Sequence, residues 1–165
     1  MAAFIQGTAQ RALHFGNLVK KLAQIPPNSG SSATLFTVAG GMVMVTSMVG
    51  RVSTVLSGTT GAVSLGATPT VGAAGAQVAG IAAATVVGGG EVGAAFAVAA
   101  TIAGAPTTLA NGGASGVAGK SPFLAQSAFV VNAGVITVTT SVATMTGAID
   151  WYLTYVPLDD GASVS

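Results

Sequence analysis

Between Val52 and Gly119 the chain carries a single formal charge, Glu91. So long a stretch without charge either enters a membrane or builds β structure from small apolar residues, and this choice constrains the fold more than any motif does. The segment "VGAAGAQVAGIAAATVVGGG" is long enough for a hydrocarbon core about 30 Å thick. Its side chains are mostly Ala and Gly, however, with few of the Leu, Ile and Phe residues that favour insertion, and Gln77 and Thr85 oppose it. Alanine content permits a helix over "AQVAGIAAATVV", but each interior glycine costs a helix about 1 kcal/mol. Short strands joined by glycine-rich turns at "VVGGGEVG" and "ANGGASGVAG" are therefore expected. A glycine-rich membrane insert, packed through its small residues, is the alternative.

The rest of the composition agrees with the soluble reading. The 165 residues suffice for one domain, and they are 51% hydrophobic and 5% charged, whereas an average soluble domain is about 25% charged. Arg11, Lys20, Lys21, Arg51 and Lys120 nearly balance Glu91, Asp150, Asp159 and Asp160, for a net charge of +1. No field attracts nucleic acid, so no nucleic-acid partner is expected, and the soluble reading expects no membrane either. With no cysteine there is neither a disulfide nor a thiolate metal site. "MAAFIQGTAQRALHFG" lacks a basic leader followed by a clean apolar run, so no secretory signal is expected and the chain is expected to fold in the cytoplasm where it is made.

Strand patterns dominate both ends. In "LFTVAGGMVMVTSMVGRVSTVL" the pair Gly40-Gly41 separates two Val- and Thr-rich runs, predicting a hairpin. Met42, Met44, Thr46 and Met48 alternate with Val43, Val45, Ser47 and Val49, predicting a strand buried on both sides; beyond Gly50, Arg51 and Ser53 alternate with Val52 and the strand turns amphipathic. Farther on, Ile136, Val138 and Val142 lie opposite Thr137, Thr139 and Ser141. In "IDWYLTYVPLDDG", Ile149, Trp151, Leu153 and Tyr155 share one face while Asp150, Tyr152 and Thr154 share the other. Thr146-Gly147 suits a turn that would pair these last two strands as a hairpin. The pattern predicts an all-β antiparallel fold, a sandwich or a jelly-roll-like barrel, over residues 34–165. Residues 1–33 are expected to be an N-terminal arm and linker. Within the arm, Gln6 to Leu22 reads either as a short amphipathic helix carrying Leu13, Leu18 and Leu22 or as an extended segment, and "IPPNSGSS" reads as the linker.

Side-chain chemistry is sparse. His14, the single histidine, has no carboxylate near it in sequence, and one His with four scattered acids is not a metal-ligand set. Asp159-Asp160 before Gly161 reads as turn residues. "GGASGVAGKS" ends in Gly119-Lys120-Ser121, but Ala114 stands where a phosphate-binding loop needs glycine, and Pro122 follows. There is no G-x-S-x-G elbow. No enzymatic activity, cofactor or metal is expected. Lys20-Lys21, the one basic pair, reads either as a solubilising surface or, with Arg11, as a contact for a larger partner. Trp151, Leu153 and Tyr155 read as core anchors, because each aromatic buries about 150–250 Å²; Tyr152, on the opposite face, is a candidate subunit contact.

Three stretches together, "LFTVAGGMVMVTSMVGRVSTVL", "GATPTVGA" and "GVITVTTSVATMTGAIDWYLTYVPLDDGASV", resemble a group of small β-rich virion proteins of tailed bacteriophages. In that group a Leu-Phe-Thr-Val strand opens the domain and a Trp-x-Leu-x-Tyr-x-Pro-Leu-Asp-Asp-Gly strand closes it. The likeness is strongest at the two ends, and the Gly/Ala-rich middle departs from the group. The resemblance implies a structural role on the particle: a capsid decoration or cement protein on the capsid surface, commonly trimeric, bound to the major capsid protein or another virion protein. Arg11, Lys20 and Lys21 are then the candidate capsid contacts. A tail or head-fibre module with an adhesive role is the alternative within the same group of β folds.

Overall fold

The computed structural model describes residues 16–25, 27, 32–57, 61–70, 82–86, 89–97, 107–109, 128–140 and 145–165. These form strands only: β1 (Asn17–Gln24), β2 (Ser32–Ala39), β3 (Val43–Thr54), β4 (Ala62–Pro69), β5 (Ala82–Val86), β6 (Ala95–Ala97), β7 (Thr107–Leu109), β8 (Phe129–Val131), β9 (Gly134–Thr140), β10 (Ala148–Pro157) and β11 (Ser163–Val164). Sheet I has the order β1-β10-β3-β6-β7, with β8 also paired to β3; sheet II has the order β11-β2-β9-β4-β5. All described pairings are antiparallel. One hydrophobic core joins the sheets, with Phe36, Leu65, Ile136 and Val138 from sheet II against Val45, Met48, Trp151 and Leu153 from sheet I. Among the described residues the sheets share no strand, and the fold is an antiparallel β sandwich and not a closed barrel.

Both expected hairpins are arches instead. β2 lies in sheet II and β3 in sheet I, and likewise β9 lies in sheet II and β10 in sheet I. The chain therefore changes layer at Gly40-Gly41 and again before Ala148, while β2 pairs with β9 and β3 with β10. Gly40 has φ 78°, and a Cβ there would run into the carbonyl of Gly161; Gly147 has φ 110°, and a Cβ there would meet the carbonyl of Val55. Only glycine accepts both the conformation and the contact. The first arch is held by Asp159, whose Oδ2 accepts the Met42 amide at 2.7 Å, and by the Leu158 amide donating to the Met42 carbonyl at 2.9 Å. The second is pinned to Ser57, whose Oγ accepts the Thr146 amide at 2.9 Å.

β3 is not buried on both sides throughout. Its core-facing residues are Val43 and Val45, then Met48, Gly50 and Val52, so the phase of alternation changes between Val45 and Met48. The cause is a bulge: Tyr155 pairs with Val45 and Thr154 with Ser47, so the register shifts by one residue at Thr46. Beyond it the predicted amphipathic end is present, with Arg51 exposed and Val52 buried.

The described part of the expected arm is a strand. Asn17–Gln24 is neither helix nor free extension but the edge strand of sheet I, paired to β10 from Asn17↔Tyr155 to Gln24↔Ile149. Leu13 lies outside the described residues. The linker is tied down by Pro27, whose carbonyl accepts the hydroxyl of the buried Thr140. In the middle of the chain, β5 falls within "AQVAGIAAATVV", and the backbone turns at Gly89 and Gly93 with positive φ in "VVGGGEVG". "ANGGASGVAG", Ser141 and Val142 lie outside the described residues.

Candidate functional site

β10 has neighbours on both edges, so its alternation fixes two surfaces at once. Ile149, Trp151, Leu153 and Tyr155 are buried between the sheets, as the sequence pattern predicts. Asp150, Tyr152, Thr154 and Val156 point the other way and are half-buried. Register extends that outer face sideways: Tyr152 lies beside Lys20 of β1 and Val49 of β3, Asp150 beside Arg51, and Thr154 beside Leu18. Met44 lies beside Val130 of β8.

This outer face of sheet I is apolar and sparsely basic. Leu18 is 55% exposed, Leu22 58% and Val130 54%, with Ile25 at 72% just beyond β1. The Lys20 ammonium stands 5.9 Å from the centre of the Tyr152 ring, within reach of a cation–π contact. Asp150 is occupied locally, since its Oδ1 accepts the Ala23 amide at 2.8 Å. That bond supports a bulge between Lys21 and Gln24, where Ala23 adopts φ 51°. A left-handed alanine costs about 1–2 kcal/mol.

The basic candidates do not form one patch. Lys20 is exposed on the outer face with Tyr152, whereas Lys21 pairs with Trp151 on the core side of the open β1 edge and is half-buried. Successive strand residues face opposite ways, so a Lys-Lys pair in a strand is divided between the two sides of the sheet. Arg11 and His14 lie outside the described residues, as does "GGASGVAGKS". Asp159 closes the first arch, and Asp160 is exposed beside it. Met42 and Leu158, 40% and 47% exposed, share that end of the molecule.

Sequence reasoning missed Leu18, Leu22, Val130 and Arg51 as members of a surface. The Leu18-x-Lys20-x-Leu22 alternation was the available signal, but it becomes decisive only once β1 is known to be a strand. Among the described residues there is no group of three or more His, Cys, Asp or Glu side chains able to hold a metal, and no helix long and apolar enough to cross a membrane. No family model, curated protein or solved structure matches this chain.

Proposed function

We propose that the protein is a non-enzymatic structural component of a tailed-bacteriophage virion, a capsid decoration or cement protein that binds the major capsid protein as a homo-oligomer. It would be made in the host cytoplasm and reside on the capsid surface. The observation that carries this reading is the outer face of sheet I, where the closing Trp-x-Leu-x-Tyr strand presents Tyr152 among Leu18, Leu22 and Val49 with few charges. Exposed apolar surface of this kind favours packing against another protein. The capsid contact is assigned to the β1 edge that no described strand covers, with Lys21; Arg11, the other candidate, lies outside the described residues. Lys21 and the Ala23 bulge disfavour regular strand addition at that edge, so contact there is made through side chains.

Cementing follows from mass action. A protein that binds the assembled shell but not its separated subunits stabilises the shell in proportion to the logarithm of its concentration over its dissociation constant. The test is co-sedimentation of the purified protein with undecorated heads, followed by thermal disruption of the decorated particles. Saturable binding and a higher disruption temperature are expected. Absence of binding, or gold labelling on the tail and not the head, would overturn the capsid assignment.

A further inference from the structure

We infer that the outer face of sheet I is a docking site for a second copy of this chain, which inserts the pole formed by Met42, Leu158 and Asp160. The inference rests on the homo-oligomeric part of the reading above and is independent of the capsid.

The argument is one of complementarity. Among the described residues of the outer face, exposed Lys20 and Arg51 outnumber the one acid, Asp150, which pairs with Arg51 in the ladder and accepts the Ala23 amide. The pole is the reverse: exposed Met42 and Leu158 flanked by Asp159 and Asp160, with no basic residue among its described neighbours in sequence. Each surface thus offers exposed apolar groups, with opposite charge in a chain that has few charges of either sign. The two cannot satisfy each other within one molecule. Tyr152, which lies beside Lys20, is five residues from Pro157 at the end of β10, about 16 Å at the rise of a strand, and the pole begins beyond that point.

Joining unlike surfaces makes the contact heterologous, and a heterologous contact closes into a ring when its rotation permits. Asp159 is committed to the Met42 amide, which leaves Asp160 as the free carboxylate to meet Lys20. Tyr152, over which Lys20 is stacked, supplies flat apolar area at the centre of the face.

The test is sedimentation velocity of the full chain over a concentration range, with Lys20→Glu, Asp160→Lys and the double variant. Both positions are exposed, and circular dichroism checks that each variant is folded; Leu18→Ser on the same face serves as an uncharged second disruption. The wild-type chain is expected to self-associate, each charge reversal to weaken association about tenfold or more for a lost close charge pair, and the double reversal to restore it. A monomeric wild type at about 100 μM, far above the dissociation constant of a specific interface, would overturn the inference. So would an oligomer indifferent to Asp160→Lys and Leu18→Ser, or a double variant as weak as the sum of its parts. Head binding measured on the same samples separates the two proposals, since a monomer that still decorates heads refutes the self-docking and the homo-oligomeric part of the reading but leaves the capsid assignment standing.

Discussion

Ile149, Trp151, Leu153 and Tyr155 disappear into the space between the sheets, while Asp150, Tyr152, Thr154 and Val156, interleaved with them on the same strand, lie half-buried on the outer face. The first set shares one core with Phe36, Leu65, Ile136 and Val138 of the second sheet; the second set, among the described residues, lies beside its flanking strands. One strand therefore separates two kinds of energy. Substitutions on the inner face act on folding, and under the proposed self-docking substitutions on the outer face act on association. Trp151 is the largest fully buried side chain, ahead of Phe36 and Met48, and contributes more buried area than its neighbours.

The sharpest break in that comparison is Trp151→Ala, expected to cost about 3–5 kcal/mol in denaturant unfolding, because the cavity lies where both sheets meet. Next is Gly40→Ala, which forces a side chain into a left-handed position against the Gly161 carbonyl and is expected to cost about 1–3 kcal/mol. It tests whether the arch, and not a hairpin, holds the inner face in place. Asp159→Ala removes the acceptor of the Met42 amide and is expected to cost about 1.5 kcal/mol, read from the same unfolding curves. Ala23→Gly works in the opposite direction: relief of the left-handed alanine is expected to stabilise the chain by about 1 kcal/mol and to slow amide exchange in β1. The smallest effect is Tyr152→Ser, expected to change the stability of the free chain by no more than about 0.5 kcal/mol while weakening self-association. A loss of several kcal/mol from this last change would erase the distinction between the faces.

Legibility followed side-chain size. The β10 alternation could be read directly because its inner positions are large and apolar and its outer ones carry Asp150 and Thr154. In β3 from Val43 to Val49, Met holds one parity and Val the other, both apolar, so the Thr46 bulge that shifts the phase leaves no mark in the pattern. Leu18 and Leu22 are four residues apart, a spacing that places them on one side of a helix and of a strand alike, and the edge strand was therefore undecided. Hairpin and arch were indistinguishable for a similar reason. Gly40-Gly41 and Thr146-Gly147 mark a reversal of the chain, but whether the returning strand pairs in the same sheet or crosses to the other depends on contacts with Gly161, Asp159 and Ser57, which are distant in sequence. The outer face needed all of this at once, since its members come from β1, β3, β8 and β10 and share a surface only through register.

The two tyrosines give the most direct test, because Tyr152 and Tyr155 lie on opposite faces of one strand and differ in little else. Hydroxyl-radical footprinting would compare their oxidation in the dilute chain, in the self-associated chain and on decorated heads. Tyr155 is expected to be protected in every folded state, together with Trp151, while Tyr152 is oxidised in the dilute chain and becomes protected on association. Equal reactivity of the two tyrosines in the native chain, or a Tyr152 that stays reactive in the assembled state, would contradict the division of β10 into a folding face and a contact face.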